Sequence, residues 1–172
     1  MAEIVQILEE KQPAALFVGR KYDPEKWPVP PAMWGTAFEE GWFDTLEALL
    51  PEAWAESFPN ADAYIGLEYA RGISCDEYWV GMWLPVDTPI PEGFGGLEFP
   101  ECTLATAYVR GREETGEIYG CEAECLEAFA RRGRMPRMEG ANYWIFERYA
   151  CPRFTTPDDE GRVILDICCI VE

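Results

Sequence analysis

From Trp34 to Leu49 the apolar side chains Trp34, Phe38, Trp42, Leu46 and Leu49 recur three or four residues apart, the spacing that lays a stripe along one face of an α-helix. The stripe predicts an amphipathic helix of about four turns that ends before Pro51, because proline cannot continue it. Its aromatic residues, with Trp27 just upstream, read as packing residues. Elsewhere the apolar period shortens to two. Strands are predicted over 4–8 and 14–20, joined as an opening hairpin, and over 64–70 and 78–86, separated by the turn-like segment 71–76.

The pattern then starts again. Segments 96–99 and 102–110 read as a second hairpin, 113–132 as a second helix stopped at Gly133, and 143–150 and 163–171 as a second strand pair. Each half, roughly 1–90 and 95–172, runs strand, strand, helix, strand, strand. Residues repeat too: Ile65-Gly-Leu-Glu68-Tyr-Ala70 answers Trp144-Ile-Phe-Glu147-Arg-Tyr-Ala150 at the same place in each half. The order predicts an α+β fold over 1–172 as one domain. It is built of duplicated β-α-β-β units with pseudo-twofold symmetry, as antiparallel sheets backed by two helices.

Strand alternation sends Tyr143, Ile145, Glu147 and Tyr149 to one face, so a carboxylate shares its face with two tyrosines. A buried, unpaired carboxylate is costly, so Glu147 must be hydrogen-bonded, protonated, or waiting for a cation. In the matching strand Tyr64, Gly66 and Glu68 share a face, and Gly66 leaves space beside the acid. The next strand offers Trp79 with Trp83, or Tyr78 with Met82. The tryptophans are favoured for the pocket because Gly81 between them leaves room for a ligand. Tyr108, within Ala105–Gly111, completes the candidate set.

Composition sharpens this picture. Aromatic residues make up 14% of the chain, with 7 Trp, 8 Tyr and 9 Phe, more than a core of this size usually needs and the material of hydrophobic ligand sites. Lys and Arg number 14 against 32 Asp and Glu, a net charge of -18. Such a surface repels phosphate backbones and attracts cations, which argues against direct DNA binding. No basic leader and no long apolar run is present, so no membrane association and a cytoplasmic location are expected.

The seven cysteines read as reduced, mostly buried thiols. Cys121 and Cys125 stand four apart, but without any histidine or a second pair neither a metal site nor another cofactor is expected. The absence of histidine also removes Ser-His and Cys-His nucleophilic sites, and no Gly-rich phosphate loop follows a strand. Acid–base chemistry by Glu147 and Glu68 with a tyrosine such as Tyr143 survives.

Several segments, in order, carry a family likeness: Tyr64-Ile-Gly-Leu-Glu, Val80-Gly-Met-Trp-Leu-Pro-Val, Pro91-Glu-Gly-Phe, Ala105-Thr-Ala-Tyr-Val-Arg-Gly, Tyr143-Trp-Ile-Phe-Glu-Arg-Tyr and Ile164-Leu-Asp-Ile-Cys-Cys-Ile-Val. The chain resembles the GyrI-like superfamily of effector-binding domains of multidrug-sensing transcription activators, stand-alone drug-binding proteins and the gyrase inhibitory protein. The resemblance implies a concave sheet face that binds bulky hydrophobic cations over a strand carboxylate, and Glu147 stands in that place. With no room for a helix-turn-helix module, the chain is similar to the stand-alone members. Two alternatives come with the family. Some stand-alone members are cyclopropanoid hydrolases, and the gyrase-inhibitor relatives suggest an acidic surface that binds a protein partner.

Overall fold

The computed structural model describes residues 1–172. Eight strands and four helices follow in the order β1 (Glu3–Gln12), β2 (Ala15–Lys21), α1 (Pro30–Glu39), α2 (Trp42–Glu47), α3 (Glu52–Ala55), β3 (Tyr64–Arg71), β4 (Ser74–Leu84), β5 (Gly95–Phe99), β6 (Cys102–Gly111), α4 (Glu122–Arg131), β7 (Tyr143–Tyr149) and β8 (Val163–Val171). All eight strands form one sheet in the order β1-β6-β8-β7-β3-β4-β2-β5. Exchanging each strand of the first half for its counterpart in the second reverses this order onto itself. The duplication is therefore a pseudo-twofold in space, and its axis runs through the β3–β7 pair, where Leu67 lies opposite Phe146. The antiparallel sheets of the two halves are the two ends of this single sheet.

The expected hairpins are corrected. β1 pairs with β6, and β2 pairs with β4 and β5, so the halves exchange their first strands. The connectors Pro13-Ala14 and Pro100-Glu101 each hold a proline, and neither holds a residue of positive φ. Two-residue hairpins need such residues to match the twist of their strands. Without them, the strands separate and find partners in the other half.

The four-turn helix is also corrected. It starts earlier, at Pro30, with proline in the first turn where a missing N–H costs nothing, and is broken by Gly41 at φ 67° into α1 and α2. The second helix is shorter than its period suggested, because Gly116 and Gly120, both at positive φ, keep the segment before α4 in turns.

Helices cover one face of the sheet. Met33 and Ala37 of α1 and Leu46 of α2 pack on Val18, Val80, Met82 and Leu84, while Cys125 and Phe129 of α4 pack on Ala105, Ala107, Ile167 and Cys169. The other face buries itself. Phe99 on β5 and Trp144 on β7 lie four strands apart, roughly 19 Å in a flat sheet. Their ring centroids are nonetheless 5.2 Å apart, so the sheet curls around a core of Phe17, Trp83, Phe99, Trp144 and Phe146. Each such side chain removed from water contributes about 1.5–3 kcal/mol. No helix is long and apolar enough to cross a membrane.

Candidate functional site

On the helix-bearing face the two helical flanks stand apart, and the strands between them floor a cavity of about 1170 Å³. Tyr64 and Glu68 of β3, Tyr78 of β4, and Glu147 and Tyr149 of β7 line it from the sheet. Trp34 and Phe38 of α1, with Tyr22, Pro30 and Pro31, line one side; Tyr119 and Phe154 come from the loops before α4 and after β7. The rings brace one another: Trp34 meets Tyr149 edge-on at 4.9 Å, Tyr149 meets Phe154 at 4.8 Å, and Tyr64 stacks on Phe43 at 3.7 Å.

Glu147 owes its place to Gly66, its cross-strand partner. A Cβ on Gly66 would stand 2.6 Å from the Tyr78 hydroxyl, 3.1 Å from Glu147 Oε2 and 3.4 Å from Trp34 Cζ2. The missing side chain thus admits three groups at once. Trp34 Nε1–H donates to Tyr78 Oη at 2.7 Å, and the Tyr149 hydroxyl donates to Glu147 Oε2 at 2.7 Å.

No cation reaches Glu147, and the salt bridges of the protein lie elsewhere. Burial pushes its carboxyl up to about 8, the hydrogen bond from Tyr149 pulls the other way, and the charges of Glu122 and Glu68 add to the rise. Glu68 has neither a hydrogen bond nor an ion pair, and burial, with Glu122 nearby, pushes it up to about 7. The Tyr78 and Tyr149 hydroxyls are held protonated by burial and by the charge of Glu147.

The rim is acidic. Glu47, Asp62, Asp76, Glu77 and Glu113 border the opening with a single basic residue, Lys21, which is bound to Glu77 at 3.0 Å. Tyr64 donates to Glu47 at 2.5 Å. No group of three or more acidic or cysteine side chains is arranged to hold a metal ion.

Of the candidates from sequence, Glu147, Glu68, Tyr149 and Tyr64 line the cavity and Gly66 lies beneath it. Four others lie elsewhere. Trp83 is buried on the opposite face against Phe17, Phe99 and Phe146, and Trp79 meets Phe17 there. Gly81 is small for another reason: a Cβ would meet Val18 O at 2.1 Å and the Cα of Gly19, so it serves the close approach of β2 to β4. Tyr143 packs in the α4 core and donates to the Gly72 carbonyl at 3.1 Å. Tyr108 alternates with Ala107 and Val109 of that core, and so points to the far face, where Arg153 sits over its ring at 4.5 Å.

Tyr78, the less favoured choice on its strand, lines the cavity; Trp34, Phe38, Tyr119 and Phe154 were not anticipated. A signal existed for Trp34, whose indole N–H would lack a partner in a purely apolar stripe.

No family model matches this chain. No curated protein matches it in sequence. Solved structures do match its fold. SAV2435, solved bound to tetraphenylphosphonium, superposes with TM-score 0.65 at 11% identity over 98% of this chain and 94% of its own. A structure described as a putative bacterial transcription regulation protein from Staphylococcus aureus MU50 gives 0.62 at 13%, over 97% and 98%. The EcmrR C-terminal domain gives 0.57 at 13%, over 97% of each chain. This chain shares their fold.

Proposed function

We propose that this protein binds bulky, hydrophobic, cationic small molecules, with Glu147 as the counter-charge on the cavity floor. The observation that carries the reading is a half-buried carboxyl group on the floor of an aromatic cavity, with one tyrosine hydroxyl and no cation for company. Such a group is costly until a positive charge arrives. Trp34, Phe38, Tyr64 and Tyr149 offer ring faces and edges, and a cation over a ring contributes roughly 0.5–2 kcal/mol depending on desolvation. Contacts of this kind favour shape and charge over exact chemistry, which suits sensing or sequestration of varied xenobiotics. SAV2435, of the same fold, holds tetraphenylphosphonium, itself a hydrophobic cation.

A second reading rests on the same cavity. Two carboxyl groups that titrate near neutrality could serve as acid and base toward an electrophilic ring, as in the hydrolases of the family the sequence resembles. Tyr149 and Tyr78, not Tyr143, would be the tyrosines at hand.

One experiment tests both. A rhodamine is titrated into the wild type and Glu147→Gln with tryptophan quenching as readout, and the bound compound is recovered for mass analysis. Saturable binding that weakens about tenfold or more in the variant, about 1.4 kcal/mol, supports the binding reading. A changed mass supports hydrolysis. Binding indifferent to the substitution would sink the binding reading, and with an unchanged mass as well would return attention to the acidic surface and a protein partner.

A further inference from the structure

The cavity holds a second acid that a single charge on a ligand leaves unanswered. Glu68 lies on β3 opposite Ile145, and Glu147 lies on β7 opposite Gly66, so the two glutamates are diagonal neighbours across one strand pair. Diagonal residues on one sheet face stand roughly 7–8 Å apart at the backbone. Both face the same cavity. Neither is within salt-bridge distance of a lysine or arginine; the charge of Glu68 raises the cost of ionising Glu147, and the charge of Glu122 bears on both. The only basic side chain on the lining, Lys21, is engaged by Glu77.

A monocation seated on Glu147 neutralises that group and leaves Glu68 half-buried, without a hydrogen bond, beside the ligand. A cavity of about 1170 Å³ also exceeds the usual range of small-molecule sites, roughly 300–1,000 Å³, and admits a longer molecule.

Resting on the binding function proposed above, we infer that the cavity is built for a dicationic aromatic ligand, one positive centre on Glu147 and the second on Glu68. The ring between the charges lies against Tyr78, which is opposite Glu68 on β4 and meets Glu147 over Gly66, while Tyr64 and Tyr149 flank the Glu147 end. Each acid that holds a proton in the empty site gives it up as a charge of the ligand arrives. At pH 6 the dication therefore releases about two protons and a monocation about one.

The test uses a matched pair of probes: dibenzyldimethylammonium, with one charge, and 1,4-bis(benzyldimethylammoniomethyl)benzene, with two. Both are titrated calorimetrically into the wild type, Glu68→Gln and Glu147→Gln, in buffers of differing ionisation enthalpy that report proton release. The dication is expected to bind the wild type at least about tenfold tighter than the monocation. Glu68→Gln should remove about tenfold of the dication's affinity and less than twofold of the monocation's, and should cut proton release for the dication alone. Glu147→Gln should weaken both probes.

Equal effects of Glu68→Gln on the two probes, or none on the dication, would overturn the dication inference while leaving the cation-binding function intact. If neither probe binds, or Glu147→Gln changes nothing, the binding function itself fails and the inference falls with it.

Discussion

The two halves of this molecule share one strand plan but differ at the axis that relates them. About the Leu67–Phe146 pair, Glu68 corresponds to Glu147, and Gly66 corresponds to Ile145. Both acids line the cavity, but Glu147 faces a glycine across the strand pair whereas Glu68 faces an isoleucine. The helices differ as well. α1 carries Trp34 and Phe38 to the cavity, while α4 sends Cys125 and Phe129 into the core and nothing into the cavity. Duplication thus supplies a symmetric scaffold, and one missing side chain, with one aromatic helix face, makes the site. Behind the sheet the halves differ again. Arg148 and Asp166 form a buried pair completed by Glu10 and Arg153, whereas the corresponding positions Tyr69 and Glu77 are partly exposed and Glu77 binds Lys21 at the surface.

The largest expected effect breaks that buried pair. Arg148→Leu leaves Asp166, fully buried, with only Arg153 at its side, and should cost about 3–5 kcal/mol in urea unfolding. Next comes Gly66→Ile, which makes the first half like the second. The new side chain would collide with the Tyr78 hydroxyl and crowd Glu147. It should destabilise by about 1–3 kcal/mol and weaken cation binding by about a hundredfold, read by thermal unfolding and dye titration.

The pH dependence follows from Glu147, which shares the cavity with Tyr149 on its own strand, Glu68 on β3 and Tyr78 on β4, and feels the charge of Glu122 at the start of α4. A cation displaces the carboxyl proton, so affinity should rise about tenfold per pH unit until about pH 8 and then level off. Stability of the empty protein runs the opposite way. Between the ordinary value of 4.5 and about 8 the folded chain keeps a proton that the unfolded chain has lost, so stability falls as pH rises through that window. Glu147→Gln should flatten the affinity profile and leave only the part of the stability slope that Glu68 produces below about pH 7. The smallest effect belongs to Glu77→Gln, whose exposed bond to Lys21 is worth under about 1 kcal/mol in the same urea assay.

Much of the fold was legible because alternation and helical period act locally. Every predicted strand exists, and the match of Glu68 with Glu147 agrees with the symmetry of the β3–β7 register. What failed was local geometry masked by periodicity. The stripe from Trp34 to Leu49 continues past Gly41, although the left-handed backbone there ends one helix and begins another. In β4 the period of two left a choice between Tyr78 with Met82 and Trp79 with Trp83. Gly81, read as room for a ligand, is required by the backbone of β2.

The sequence by itself determined the element types, the duplication, the acidic field and the carboxylate on β7, since each depends on residue chemistry and near neighbours along the chain. Tertiary structure alone decided which strands pair, which face of the sheet meets the helices and which rings surround Glu147. Those choices rest on contacts between residues far apart in sequence, as when Trp34, Gly66, Tyr78 and Glu147 meet in a space that no one of them encodes.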